Sequence, residues 1–189
     1  DHSGPIVQVL SMTAEDKHIV VLPMSHLFVQ SVVVTPSILS GGTAFIVRYF
    51  DAEAILSMIA KNKITMMAGV STMYARMIEV PNAASFDLSS LSAVIAGAAA
   101  LNPRVAKRFL EIFDIDILRS FGSSETGVVV ITPHEGAKKY GSIGRAIPGI
   151  TVSIQDENGN QAPIGDPGEL VVHRSCVMSG YLNLREADE

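Results

Sequence analysis

The chain has 189 residues, of which 14 are basic and 19 acidic, for a formal net charge of -5. Hydrophobic residues make up 48% and charged residues only 17%, against the ~25% charged that is ordinary for a soluble domain, so intrinsic disorder is excluded. A spanning helix is not expected either: no apolar run reaches ~18–20 residues, and the longest is broken by Pro23, His26, Gln30 and Pro36. The acidic balance, without clusters of Lys or Arg, argues against nucleic acid as a partner. The opening Asp1-His2-Ser3-Gly4-Pro5 has no basic stretch and apolar core of a secretory leader. A single cysteine, Cys176, leaves no intramolecular disulfide and fits a reducing, cytoplasmic setting.

Taken in chain order, short β-rich apolar runs alternate with helical segments. The runs are His18–Leu22, Thr43–Val47, Ile64–Ala68, Ser92–Ala96 and Asp116–Ser120. They lack polar alternation, as strands covered on both faces do. The segment after His26 stops at Gly41-Gly42, and the one after Ser71 stops at Pro81. Asp51 is placed as a helix N-cap, with Phe50 and Ile55 as a hydrophobic staple and Ile55, Met58 and Ile59 on one face. Asn102-Pro103 starts another helix, whose stripe is Val105, Phe109, Ile112 and Phe113. This rhythm predicts an α/β fold with a mostly parallel sheet and helices on both faces, over residues 1–140. From 141 to 189 the pattern changes. Glycine-rich turns, an alternating Thr151–Gln155, the turn dipeptide Asn158-Gly159 and a strand from Gly168 to Arg174 predict the start of a small antiparallel β unit.

Ligands of open parallel sheets bind beyond the carboxyl ends of the strands. The expected strands run into Pro23-Met-Ser-His26, Gly69-Val-Ser-Thr72, Gly97-Ala-Ala-Ala100 and Phe121-Gly-Ser-Ser-Glu-Thr-Gly127. In a parallel sheet these loops share one edge and can face one ligand. Gly and Ala let a flat ring lie against backbone. An aromatic followed by glycine, hydroxyls and a carboxylate offers stacking, phosphate donors and a hard-metal ligand, the set a nucleoside phosphate with magnesium would use. The plainer alternative is that these are ordinary turns, for which small residues are standard. Met66, Met67, Met73 and Met77 read as core filler. The histidines lack metal-ligand spacing, so a zinc site is not expected. Asp114 and Asp116 are expected to be solvated, and Lys138-Lys139 marks no more than a surface loop.

The segment Phe121–Gly127 resembles the aromatic-Gly-x-Thr-Glu signature of adenylate-forming enzymes: acyl-CoA synthetases, luciferases and nonribosomal adenylation domains. Leu22-Pro-Met-Ser-His-Leu-Phe28, Ala96-Gly-Ala-Ala-Ala-Leu101 and Gly168-Glu-Leu-Val-Val-His-Arg174 with Val177–Asn183 resemble further motifs in the family's order. The resemblance covers essentially the whole chain and is nearest the acyl- or aryl-CoA ligase branch. It implies that a carboxylate attacks the α-phosphate of ATP, and that a thiol, usually coenzyme A, then displaces AMP. It assigns Mg2+ to Glu125 and the α-phosphate to Ser124. It sets adenine between Phe121 and the Gly97, Ala98 and Ala99 backbone, with Gly122 and Ser123 in the same nucleotide site. His26 stands between the acyl pocket and the thiol path, and Phe28, Gly69, Ser71 and Thr72 line or support that pocket.

Alternatives stay open for single residues: Glu125 as a helix-start carboxylate, His26 as a packing histidine with no neighbour in sequence to fix its tautomer, and Phe28 as core. The family's usual tyrosine and threonine are Phe121 and Ser124 here, and Ala100, Ser71 and Ser175-Cys176 replace prolines or a Gly-Pro pair. The lysine-containing phosphate loop, the ribose-binding aspartate and the C-terminal lysine domain are not found. The chain is therefore expected to be a middle portion of a larger enzyme, inactive alone, with exposed apolar faces that favour self-association. No acid in Pro23–Phe28 holds a substrate ammonium, which points to a fatty or aryl carboxylate. The competing readings are a non-catalytic flavodoxin-like nucleotide module, an amino-acid adenylation fragment and a purely structural fragment.

Overall fold

Strands β1 (Lys17–Val20), β2 (Thr43–Ile46), β3 (Met66–Gly69), β4 (Ala93–Ala96) and β5 (Ile117–Ser123) pair in parallel. Antiparallel β6 (Gly127–Ile131) and β7 (Arg145–Ala146) complete a seven-stranded sheet of order β2-β1-β3-β4-β5-β6-β7. The structure, a computed structural model, describes residues 3–133, 141–173 and 177–183; Lys138, Lys139, Arg174, Ser175 and Cys176 lie outside the described residues.

Period-two alternation sends each central strand's side chains to two separate apolar layers. On one face Met66, Ala68, Ile95 and Leu118 pack with Ile6 of α1 (Gly4–Val9) and with Phe28 and Val29 of α2 (Leu27–Val29). On the other, Met67, Val94 and Ile117 pack with α4 (Ala52–Asn62), α5 (Ser71–Ile78) and α6 (Pro103–Phe113) through Ile55, Leu56, Ile59, Tyr74, Met77 and Phe109. Helices thus cover both faces, as the unbroken apolar runs demand. Met66, Met67 and Met77 are buried, and Met73 packs against the second layer.

The caps follow from local chemistry. Asp51 Oδ1 accepts from Ala54 N at 2.8 Å, and Asn102 Oδ1 accepts from Arg104 N at 2.9 Å, with Pro103 opening α6. The stretch after α2 winds as a π-helical turn, Gln30–Val34, before α3 (Thr35–Ser40). That wider turn sits where the Pro36 ring would otherwise press on the carbonyl one α-turn earlier. Helix α3 ends at Gly41, whose φ of +77° is the left-handed value glycine adopts freely. Asp114 takes the same conformation after α6. In the second core layer the Tyr74 phenol donates to the Ile95 carbonyl at 2.7 Å and meets Phe109 edge-on at 5.5 Å.

One element departs from expectation. The run after Ser120 is not a loop leading to a helix: β5 continues through Ser123, turns, and returns as β6, whose Val128–Ile131 are buried. Only residues 124–126 separate the two strands. A parallel crossover needs a dozen or more residues, so the short connection forces a hairpin. Beyond it the large sheet takes β7 from residues 145–146, and β8 (Thr151–Gln155) pairs antiparallel with β9 (Glu169–His173) as a separate two-stranded sheet. The Asn158-Gly159 turn forms, with Asp156 Oδ1 accepting from Asn158 and Asn160 N at 2.9 Å. Ile46 on edge strand β2 and Ile38 and Leu39 on α3 are exposed. Among the described residues no helix is long and apolar enough to cross a membrane.

His18 on β1 is buried and its Nε2 has no hydrogen-bond partner among the described residues. Burial pushes the imidazole below its ordinary 6.5, with the Asp16 carboxylate opposing. The unfolded chain therefore takes up this proton first as pH falls. Stability from this group is complete above about 6.5 and is lost progressively below it. The urea midpoint is expected to be lower at pH ~5.5 than at pH ~7.5, and His18→Asn should flatten that slope. Equal midpoints for the unsubstituted protein would contradict the assignment.

Candidate active site

The carboxyl ends of β1, β4 and β5 bring three sequence-distant segments around one cavity of about 170 Å³. Its wall comprises His26, Leu27 and Phe28, then Ala98, then Ser120–Ser124, closed by Gly127 and Val128. A neighbouring cavity of about 330 Å³ is lined by Ala98, Ala99, Ala100, Arg119, Phe121 and Ile143, among others. Phe121 is 46% exposed and its residue borders both spaces.

Bare backbone makes this arrangement possible. A Cβ on Gly97 would overlap the Phe28 ring and the Ser120 hydroxyl. One on Gly122 would overlap the Gly127 carbonyl, where a register shift at Phe121/Gly122 bends the hairpin. Ala98 is held at a φ of +59°, a left-handed backbone that a side chain resists.

His26 is the N-cap of α2, and its Nδ1 accepts from Phe28 N at 3.1 Å. The neutral ring therefore carries its proton on Nε2. The tautomer that sequence left open is set by a backbone donor two residues on, and the exposed ring is not a core histidine. Phe28 belongs to both roles, being buried in the first core layer while lining the cavity.

Glu125 lies in the turn between β5 and β6, not at a helix start. Around it, Ser123 N donates to Thr126 Oγ1 and Thr126 N to Ser123 Oγ, both at 3.3 Å. Tyr181 Oη donates to Glu125 Oε1 at 2.8 Å, and Met178 N donates to the Glu125 carbonyl at 2.9 Å. Hydrogen bonding from Ser123 and then Tyr181 holds the carboxyl below the usual glutamate range, so it is ionised at neutral pH. Among the described residues no group of three or more His, Cys, Asp or Glu could hold a metal. Magnesium suits such a place: it binds through one or two carboxylates, with phosphate oxygens and water filling its shell.

Gly69, Ser71 and Thr72 are not brought to these cavities. Gly69 is buried at the end of β3 against Tyr74. Ser71 Oγ accepts from Asn102 N at 3.0 Å, fastening the start of α5 to that of α6, and Thr72 is exposed on α5. Leu27 and Tyr181 fall inside the motif segments Leu22–Phe28 and Val177–Asn183 but are not singled out there, and Arg119, Val128 and Ile143 lie outside those segments. Val128 is visible only once β6 is known to return.

A family model described as "AMP-binding enzyme" matches residues 2–182. The chain is 32% identical over 178 residues to a feruloyl-CoA synthase of an Amycolatopsis species, covering 93% of this chain and 36% of that protein. It is 29% identical over 174 residues to a medium/long-chain-fatty-acid–CoA ligase of Mycobacterium tuberculosis, covering 90% and 30%. Crystalline ATP-bound MatB from Rhodopseudomonas palustris superposes with a TM-score of 0.90 at 25% identity, over 97% of this chain and 36% of that one. The chain thus spans about a third of the length of these curated relatives.

Neighbouring positions 97 and 98 should respond oppositely to substitution. Gly97→Ala forces Phe28 and Ser120 apart and is expected to cost about 1–3 kcal/mol. Ala98→Gly relieves a left-handed residue and should raise stability by about 1 kcal/mol. Denaturant unfolding of the two variants checks both signs, and a neutral Gly97→Ala would refute the crowding.

Proposed function

The chain belongs to the AMP-binding enzyme family, and from that premise we propose that it forms nucleotide- and acid-binding walls of an ATP-dependent CoA ligase. One observation carries this reading: the His26–Phe28, Ala98 and Ser120–Ser124 segments, far apart in sequence, line a single cavity. In the proposed reaction a carboxylate oxygen attacks the α-phosphorus of ATP, forming acyl-AMP as pyrophosphate leaves. The thiol of coenzyme A then adds to the acyl carbonyl, and AMP departs with the bonding electrons. Catalysis of this kind rests on positioning and on charge stabilisation.

In this reading Phe121 stacks on adenine opposite Gly97, Ala98 and Ala99, and Gly122 keeps the hairpin tight enough to present Ser123 and Ser124. Ser124 donates to the α-phosphate. Magnesium, held by Glu125 when bound, would offset negative charge on the phosphates. His26 can only donate from Nε2 while Nδ1 accepts from Phe28. It would therefore orient an oxygen of the acid or adenylate, not remove a proton through its other nitrogen. Gly69 at the end of β3 and Ser71 and Thr72 at the start of α5 support the pocket instead of touching the acid.

The cavity wall bears apolar Leu27, Phe28 and Val128 and, among the described residues, no carboxylate, which favours a fatty or aryl acid over an α-amino acid. The exposed Ile38, Leu39 and Ile46 support self-association of the chain through that edge. The test uses the intact protein that contains this chain, assayed by ATP–pyrophosphate exchange against a panel of fatty, aryl and amino acids. Glu125→Gln is expected to lower the rate by roughly 10²–10³-fold, and the 189-residue chain alone should give no exchange. Exchange with amino acids only, or an unaffected Glu125→Gln, would refute the assignment.

A further inference from the structure

Glu125 and Tyr181 stand 56 positions apart, yet the Tyr181 hydroxyl reaches Glu125 Oε1 at 2.8 Å. The same stretch is fastened a second time by backbone, through Met178 N to the Glu125 carbonyl at 2.9 Å. The carboxylate sits in a turn of residues 124–126, where a glutamate side chain would otherwise sample several rotamers. One of its oxygens is engaged by the phenol, and Ser123 also hydrogen-bonds the carboxyl, so the directions the carboxylate can take are restricted.

We propose that Tyr181 is a positioning residue, whose hydroxyl holds the Glu125 carboxylate in the orientation that receives the magnesium ion of bound ATP. This rests on the reading of Glu125 as the magnesium ligand. A phenol suits the task better than a cationic side chain. It donates one directed hydrogen bond from a rigid ring and brings no positive charge to compete with the metal. Outer partners of this kind set the orientation of metal-binding carboxylates, and their loss weakens metal affinity by roughly 10–100-fold.

The test is calorimetric titration of ATP into the full-length protein, with magnesium and with a chelator, so that no turnover is needed. In the unsubstituted protein magnesium tightens ATP binding. Tyr181→Phe keeps the ring and the Met178–Glu125 bond. It is expected to shrink that tightening by about tenfold while leaving metal-free ATP affinity and thermal stability unchanged. In the steady state the magnesium needed for half-maximal rate should rise, with kcat recovered at saturating metal. Glu125→Gln should abolish the tightening altogether. If Tyr181→Phe retains full tightening while Glu125→Gln loses it, the positioning role is overturned and the magnesium reading stands. If Glu125→Gln also retains it, both fall. A Tyr181→Phe loss of metal-free ATP affinity would mark a merely structural residue and likewise overturn the proposal.

Discussion

Hydrogen bonding between parallel strands is the constraint on which this molecule is built. Strands β2, β1, β3, β4 and β5 pair their backbone groups with one another while all running the same way. Each connection must then cross the sheet and bury a helix on one of its faces. Two consequences follow. The apolar layers form on both sides, which explains a chain so poor in charge. Every strand also leaves the sheet at one edge, so residues after β1, β4 and β5 meet there without local sequence proximity.

At that edge the working surface is determined as much by missing atoms as by present ones. Gly97 lets Phe28 and Ser120 close over the end of β4, and Gly122 lets the β5–β6 hairpin draw tight against Gly127. Ala98, between them, keeps its methyl in a backbone conformation that favours glycine. The small residues are therefore not interchangeable spacers. Two of them leave room for neighbouring groups, while the third puts a methyl into the wall shared by both cavities.

Much of the fold was legible because its signals are local. Asp51 and Asn102 cap where acceptor side chains precede apolar periodicity, and the apolar runs around Ile19, Met67 and Val94 are long enough to name strands. Of the motif segments that resemble the adenylate-forming family, Leu22–Phe28, Ala96–Leu101 and Phe121–Gly127 contribute residues to the cavities, and Tyr181 reaches Glu125. Glu169–His173 instead lies in the separate β8–β9 sheet, and Ser71 of the Gly69–Thr72 turn is tied to the start of α6. The illegible parts depend on chain reversal or distance. Val128–Ile131 is an apolar run like the others, but only the shortness of the turn before it reveals an antiparallel return. The bond from Tyr181 to Glu125 spans a separation that no periodicity encodes. The tautomer of His26 depends on a backbone N–H whose direction exists only after α2 has formed.

That last bond gives one ring two occupations. Nδ1 of His26 caps the start of α2, and in the proposed function its other nitrogen donates to the ligand, so position 26 would answer to folding and to the ligand at once. Asparagine or aspartate could take over the helix end, as short polar side chains commonly do, but neither offers an imidazole N–H. A longer donor could approach the ligand and leave Phe28 N without its acceptor. Under that proposal a substitution at this position has two demands to meet, although neither alone would single out histidine.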